Sequence, residues 1–115
     1  MVTINVFLDD YRPCPDGYVL ARNIDECITL LDENTVNFLS LDHDLENKKK
    51  NGLSLVHYMV EHKLFARHIT IHSANAGGGK AMYRYLKKAQ QDHMMPSDST
   101  IKLFPMPLNG PKKAQ

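Results

Sequence analysis

Four short runs of apolar and β-branched residues do most to limit what this chain can fold into: TINVFLD (3–9), VNFLSLD (36–42), HITIHS (68–73) and TIKLFPM (100–106). Runs of this length, closed by polar punctuation, have the character of buried strands. Helical patterns lie between them. In NIDECITLLDEN, Ile24, Cys27, Ile28 and Leu31 fall at i, i+3, i+4 and i+7, with Asn23 placed to cap and Glu26 three residues on. Leu53, Val56, Val60 and Leu64 line one face of a second helix, and Met82, Tyr85, Leu86 and Ala89 one face of a third. Strands alternating with helices predict an α/β sandwich around a parallel sheet.

One stretch breaks the alternation. GYVLARN (17–23) reads as a further strand, yet only residues 11–17 separate it from the first. A parallel crossover usually takes about a dozen residues or more, although seven extended residues span up to roughly 25 Å. The strand is therefore either parallel behind a loop or antiparallel at an edge. Residues 91–99 read as a loop, and 108–115 as a flexible basic tail.

With 115 residues, 43% of them hydrophobic, the chain makes one domain, and a net charge of +1 marks it neither for a membrane surface nor for duplex DNA. No run approaches the roughly 18 apolar residues of a membrane span, and the first residues lack the basic and long apolar regions of a signal peptide. Cys14 and Cys27 are isolated thiols, so a reduced, cytoplasmic setting is expected.

Ligands of a parallel α/β sheet bind beyond the carboxyl ends of its strands, so those ends supply the candidates. They are Asp9, Asp10 and Arg12 after the first strand, Asp42, His43 and Asp44 in SLDHDL, and His72, Ser73 and Asn75 before the glycine run of NAGGGK. Clustered carboxylates suit Mg²⁺ or Mn²⁺, and added imidazole admits Zn²⁺. Imidazoles titrate near neutrality and suit acid–base work. The helix start at Gly77 and Gly78 offers backbone N–H groups to a phosphate, but it is not a P-loop, since Ala74 stands where a glycine is required and Ala81 follows Lys80. Arg12 could clamp the same phosphate. Singly, each has an ordinary explanation. Asp9–Asp10 could cap a turn, His72 could be a satisfied core histidine, and Ser73 and Asn75 are common turn and cap residues. Convergence at three strand ends favours a functional cleft.

FLDD, NFLSLDHDLENKKKNGLSLV and ITIHSAN together resemble the receiver domains of two-component signalling, with Asp9 and Asp10 as the acidic pair, Asp42 at the phosphoacceptor position and Ser73 at the hydroxyl position. Two departures stand out: Met106–Pro107 replaces the family's Lys-Pro, and the first crossover helix is missing or reduced. A divergent branch, the cyclic-phosphate-processing receiver-like family, is a closer match, its signature resembling LDD-x-R-x-x-P, SLDHDL and HSAN. The resemblance implies a receiver-like (flavodoxin-like) three-layer α/β sandwich with a mostly parallel five-stranded sheet. It also implies a metal-dependent phosphoesterase acting on cyclic phosphates of nucleotides or RNA ends. On that reading Asp9, Asp10 and Asp42 hold the metal, with Asp44 as a further metal ligand or an orienter, and His43 and His72 serve as base and acid. Arg12, Ser73, Asn75, Gly77 and Gly78 bind the phosphate. The alternative is a non-catalytic pseudo-receiver, an adaptor or host-interaction protein that binds a protein partner. Phosphorylation of Asp42 in the signalling manner is the least favoured, because Met106 cannot replace the lysine.

Overall fold

The computed structural model describes residues 2–45 and 50–105. The elements run β1 (Thr3–Leu8), β2 (Val19–Ala21), α1 (Ile24–Glu33), β3 (Thr35–Leu41), α2 (Gly52–His62), β4 (Ala66–Ser73), α3 (Ala76–Gln91) and β5 (Thr100–Pro105). They form a five-stranded sheet of order β2-β1-β3-β4-β5, with every pairing parallel. This is the receiver-like α/β architecture expected from the strand runs. The short strand is parallel, with Val6 opposite Val19 and Leu8 opposite Ala21, so residues 9–18 cross over as a loop without a helix. The expected basic tail, and the Met106–Pro107 comparison, lie outside the described residues.

Local chemistry sets the helix starts. Asn23 Oδ1 accepts from Glu26 N–H at 2.9 Å, while the Glu26 carboxylate accepts from Arg22 N–H, one residue before the usual partner of a capping box. Asn51 and Ser54 form the full reciprocal box for α2. Asn75 Oδ1 accepts from Gly78 N–H at 2.8 Å and caps α3.

Three crossovers, β2 to β3, β3 to β4 and β4 to β5, step across the sheet in the same direction. Right-handed connections then put α1, α2 and α3 on the same face, and they pack as a row, α1 on α2 and α2 on α3. The core lies between this row and the sheet, built on Val6, Leu8, Leu39, Leu41, Ile69 and Ile71 with Leu55, Met59, Met82 and Leu86. Of the three layers expected, the described helices therefore supply one beside the sheet. The reason is the loop crossover: a helix between β1 and β2 would step the other way and lie on the opposite face. Cys14 and Cys27 are free thiols, and burial pushes the Cys27 thiol up to about 12. No described helix is long and apolar enough to cross a membrane.

Candidate active site

β1 and β3 lie side by side and stop together, Leu8 opposite Leu41, which sets Asp9 and Asp42 next to each other just beyond the sheet. Both are buried. Asp9 Oδ1 accepts from the N–H groups of Tyr11 and Arg12 at 2.8 and 2.9 Å, so the carboxylate shapes the turn that follows it. Its Oδ2 accepts from Arg12 Nη1 at 3.0 Å and faces His72 Nε2 at 2.9 Å. Burial pushes the Asp9 carboxyl up, but its bonds with His72, the Arg12 and Tyr11 amides and the Arg12 guanidinium outweigh that and hold it at about 2.

Asp42 sits in the opposite electrostatic position. Burial and the neighbouring Asp9 charge push it up to about 6, against the pull of His72, Arg12 and the His43 amide. Arg12 Nη1 stands 3.5 Å from Asp42 Oδ2 and spans both acids, with its side chain only 8% exposed. One guanidinium thus faces two buried carboxylates. Asp10 completes a group of three acids, each offering an oxygen within 4.8 Å of the others. An all-oxygen, acid-rich donor set of this kind fits a hard divalent cation such as Mg²⁺ or Mn²⁺ better than Zn²⁺.

The two histidines occupy different places. His72 is buried, with Nδ1 2.6 Å from Ser40 Oγ and Nε2 on Asp9, and its ring lies parallel to Phe7 at 4.6 Å between centroids. With Nε2 carrying the proton to Asp9, Nδ1 accepts from the Ser40 hydroxyl. Both nitrogens are thereby committed to the protein, and the ring buttresses Asp9 from behind. His43 follows the end of β3, where strand alternation no longer governs direction. Its Nδ1 lies 2.6 Å from Asp44 Oδ1, which also accepts from Asn75 Nδ2 at 2.9 Å. With the Nδ1 proton on Asp44, Nε2 keeps its lone pair, and it has no hydrogen-bond partner among the described residues.

Two glycines permit this. A Cβ on Gly78 would overlap the His43 ring, and a Cβ on Gly52 would collide with the Asp42 carbonyl. Gly52 also donates its N–H to the His43 carbonyl at 2.9 Å. Asp42 and His43 are thus held close to α2 and α3 by an absent side chain on each helix.

The structure therefore gathers Asp9, Asp10, Arg12, Asp42, His43, Asp44, His72, Ser73 and Asn75 at one rim. A cavity of ≈170 Å³ is lined by Asp10, Tyr11, Arg12, Asp42, Asp44, Ser73 and Ala74. The expected phosphate seat is arranged differently. Gly78 N–H is taken by Asn75 Oδ1, and the Ser73 hydroxyl accepts from Asn75 N–H at 3.0 Å. Neither Gly77 nor Gly78 lines the cavity. Asp44, expected as ligand or orienter, stands outside the three-acid group and bonds His43 and Asn75. Ser40 went unread, although a hydroxyl two residues before Asp42 in an apolar strand is a signal in itself.

One further feature favours an anion. Among the described residues, a single buried side-chain nitrogen or oxygen has no partner, and it is Arg12 Nε. Such orphans are rare in folded proteins, and Arg12 is one of the residues that line the cavity. No curated protein matches the chain. A family model described as the cyclic-phosphate processing receiver domain matches residues 4–88, a span that takes in every residue of the rim.

Proposed function

The chain belongs to the cyclic-phosphate processing receiver domain family, and from that premise we propose that it is a metal-dependent phosphoesterase acting on cyclic phosphates of nucleotides or RNA ends. The observation that carries the reading is a cavity lined by Asp10 and Asp42 of the three-acid group and by Asp44, the carboxylate that holds His43. Asp9, Asp10 and Asp42 hold the cation, Mg²⁺ or Mn²⁺. When bound, it supplies charge to the phosphoryl oxygens and lowers the pKa of water.

The remaining work falls to the chain's own residues. Asp44 fixes the His43 tautomer, and His43 Nε2 takes the proton from the attacking water, as a base near neutrality can. Arg12 holds Asp9 and Asp42 apart in charge and offers Nε to a phosphoryl oxygen. Ser73 and Asn75 shape the wall beside that oxygen. His72 is a positioning residue: it keeps Asp9 ionised and fixed. The P–O bond to the 2′ or 3′ oxygen breaks, the water oxygen stays on phosphorus, the leaving oxygen takes up a proton from solvent, and the product is a phosphomonoester with a free hydroxyl.

The test is hydrolysis of 2′,3′-cyclic and 3′,5′-cyclic nucleotides with Mg²⁺, Mn²⁺ and Zn²⁺ in turn. Turnover that requires Mg²⁺ or Mn²⁺, stops with chelator and is lost in Asp42→Asn supports the reading. No turnover of any of them with any metal removes it. Metal binding separates the histidines. His43→Gln should lower turnover with metal binding intact, whereas His72→Asn should lower the rate and weaken metal binding.

A further inference from the structure

The sheet face turned away from the helices carries side chains unlike a core. Three cross-strand rows run from the rim toward the opposite edge. His72 pairs with Phe104, then Phe7, Ser40, Thr70 and Lys102 stand in register, and then Phe38, His68 and Thr100. Phe104 is 55% exposed and Phe38 40% exposed. Phe38 stacks on His68 at 4.6 Å between centroids, and His68 Nδ1 meets Thr100 Oγ1 at 2.9 Å, so the aromatic pair is fixed before anything binds. No acidic side chain occupies these positions, and Lys102 is an exposed cation among them.

These features discriminate among occupants. An amphipathic helix needs a continuous apolar strip, and here Ser40, Thr70 and Lys102 separate the two exposed phenylalanines. Flat aromatic rings on a sheet, beside hydroxyls and a cation, suit single-stranded bases and their phosphates. The rows that hold Phe104 and Phe38 lie four residues apart along the strands, about 13 Å, roughly four times the 3.4 Å rise per base in one strand of a duplex. Bases lying on these two rings would be splayed apart, which a duplex does not allow. The face is also continuous with the rim, since Phe104 is the strand neighbour of His72 and His72 bonds Asp9.

We infer that this open face holds the single-stranded stretch of an RNA whose terminal 2′,3′-cyclic phosphate lies at the Asp9–Asp42 rim. The inference rests on the phosphoesterase reading for the identity of the end, because only a ribose with a 2′-hydroxyl forms that cyclic phosphate. It does not rest on it for the platform. Phe104 and Phe38 stack bases, and Lys102 contacts the backbone between them.

The experiment measures anisotropy of a labelled eight-nucleotide single-stranded RNA with a 3′-phosphate, mixed with the full chain in chelator. Binding should be saturable and fall with salt. Phe104→Ala and Phe38→Ala should each weaken it about tenfold, and Lys102→Glu should weaken it and flatten the salt dependence. Phe104 and Lys102 are exposed, so both variants should melt with the wild type. Hydrolysis of a free mononucleotide 2′,3′-cyclic phosphate should be unchanged in Phe38→Ala. The inference is overturned by absent oligonucleotide binding, which returns the face to a protein partner. Equal binding by all three variants, or equal binding of duplex RNA, overturns it too. The two readings fail separately. Face-dependent RNA binding by a protein that hydrolyses no cyclic phosphate keeps the platform and removes the phosphoesterase, and mononucleotide hydrolysis without oligonucleotide binding does the reverse.

Discussion

Alternate residues of β3 part company. Leu39 and Leu41 turn to the helices and are fully buried, while Phe38 and Ser40 turn to the other face, where Ser40 meets His72 and Phe38 meets His68. β4 divides in the same way, with Ile69 and Ile71 against the helices and His68, Thr70 and His72 opposite. The two faces come from one set of strands with a period of two, yet one is wholly aliphatic and the other mixes aromatic, hydroxyl and imidazole groups. The covered face supplies stability, and the open face together with the rim carries the polar and aromatic groups on which the proposed function rests.

Substitutions can break or sharpen that division. The largest effect should fall at the rim, where His43→Gln is expected to cut turnover about 10²–10⁴-fold, some 3–5 kcal/mol of barrier, with the melting temperature close to wild type. A large loss of stability would mean that His43 is structural. On the covered face, Leu39→Ala should cost about 2–5 kcal/mol in urea unfolding and leave the activity of the folded fraction unchanged. Ser40→Ala tests the boundary. It lies on the open face, but it leaves His72 Nδ1 without its donor in a buried place, so about 1–3 kcal/mol should be lost. A cost near zero would show that His72 holds Asp9 without help.

The smallest effect is a pH dependence of the metal-free protein. Asp42, raised from 3.8 to about 6, keeps its proton longer in the folded state, so its contribution is fully present below pH 4 and is lost as pH rises to about 6. Asp9, lowered from 3.8 to about 2, contributes stability above pH 4 that is lost as pH falls through about 2. Together the pair places its optimum near pH 4. Urea midpoints in chelator at pH 4, 5 and 7 should decline in that order, and added Mg²⁺ should shrink the decline. A flat profile would mean that Asp42 ionises normally.

Much of this was legible in the sequence. The apolar runs 3–9, 36–42, 68–73 and 100–106 mark strands because their hydrophobic content is local, and the acids ending the first two mark the rim because parallel strands stop together. The direction of each histidine was not legible. His72 is still within β4 and obeys strand alternation, which carries it onto the open face behind Asp9. His43 lies one residue past Asp42, where β3 has ended, and its direction depends on the Gly52 and Gly78 contacts, which come from distant parts of the chain. The single helical layer follows from strand order, a tertiary property, although the seven residues left for the first crossover already pointed to a missing helix. Phe38 and Phe104 passed as ordinary strand residues because an aromatic in a strand has the same sequence pattern whether its face is covered or open.

The loop crossover has a consequence for motion. β2 is a three-residue edge strand, and what ties it to β1 is the segment 9–18, whose turn is pinned by Asp9 Oδ1 while Asp9 N–H bonds the Ala21 carbonyl at 3.0 Å. Cutting the Asp9 carboxylate would therefore loosen the connection to the edge strand as well as remove an oxygen of the three-acid group, and amide hydrogen exchange at Leu20 and Ala21 should quicken in step with the turn. The edge strand and the turn that carries the acids should then open and close as a single cooperative unit.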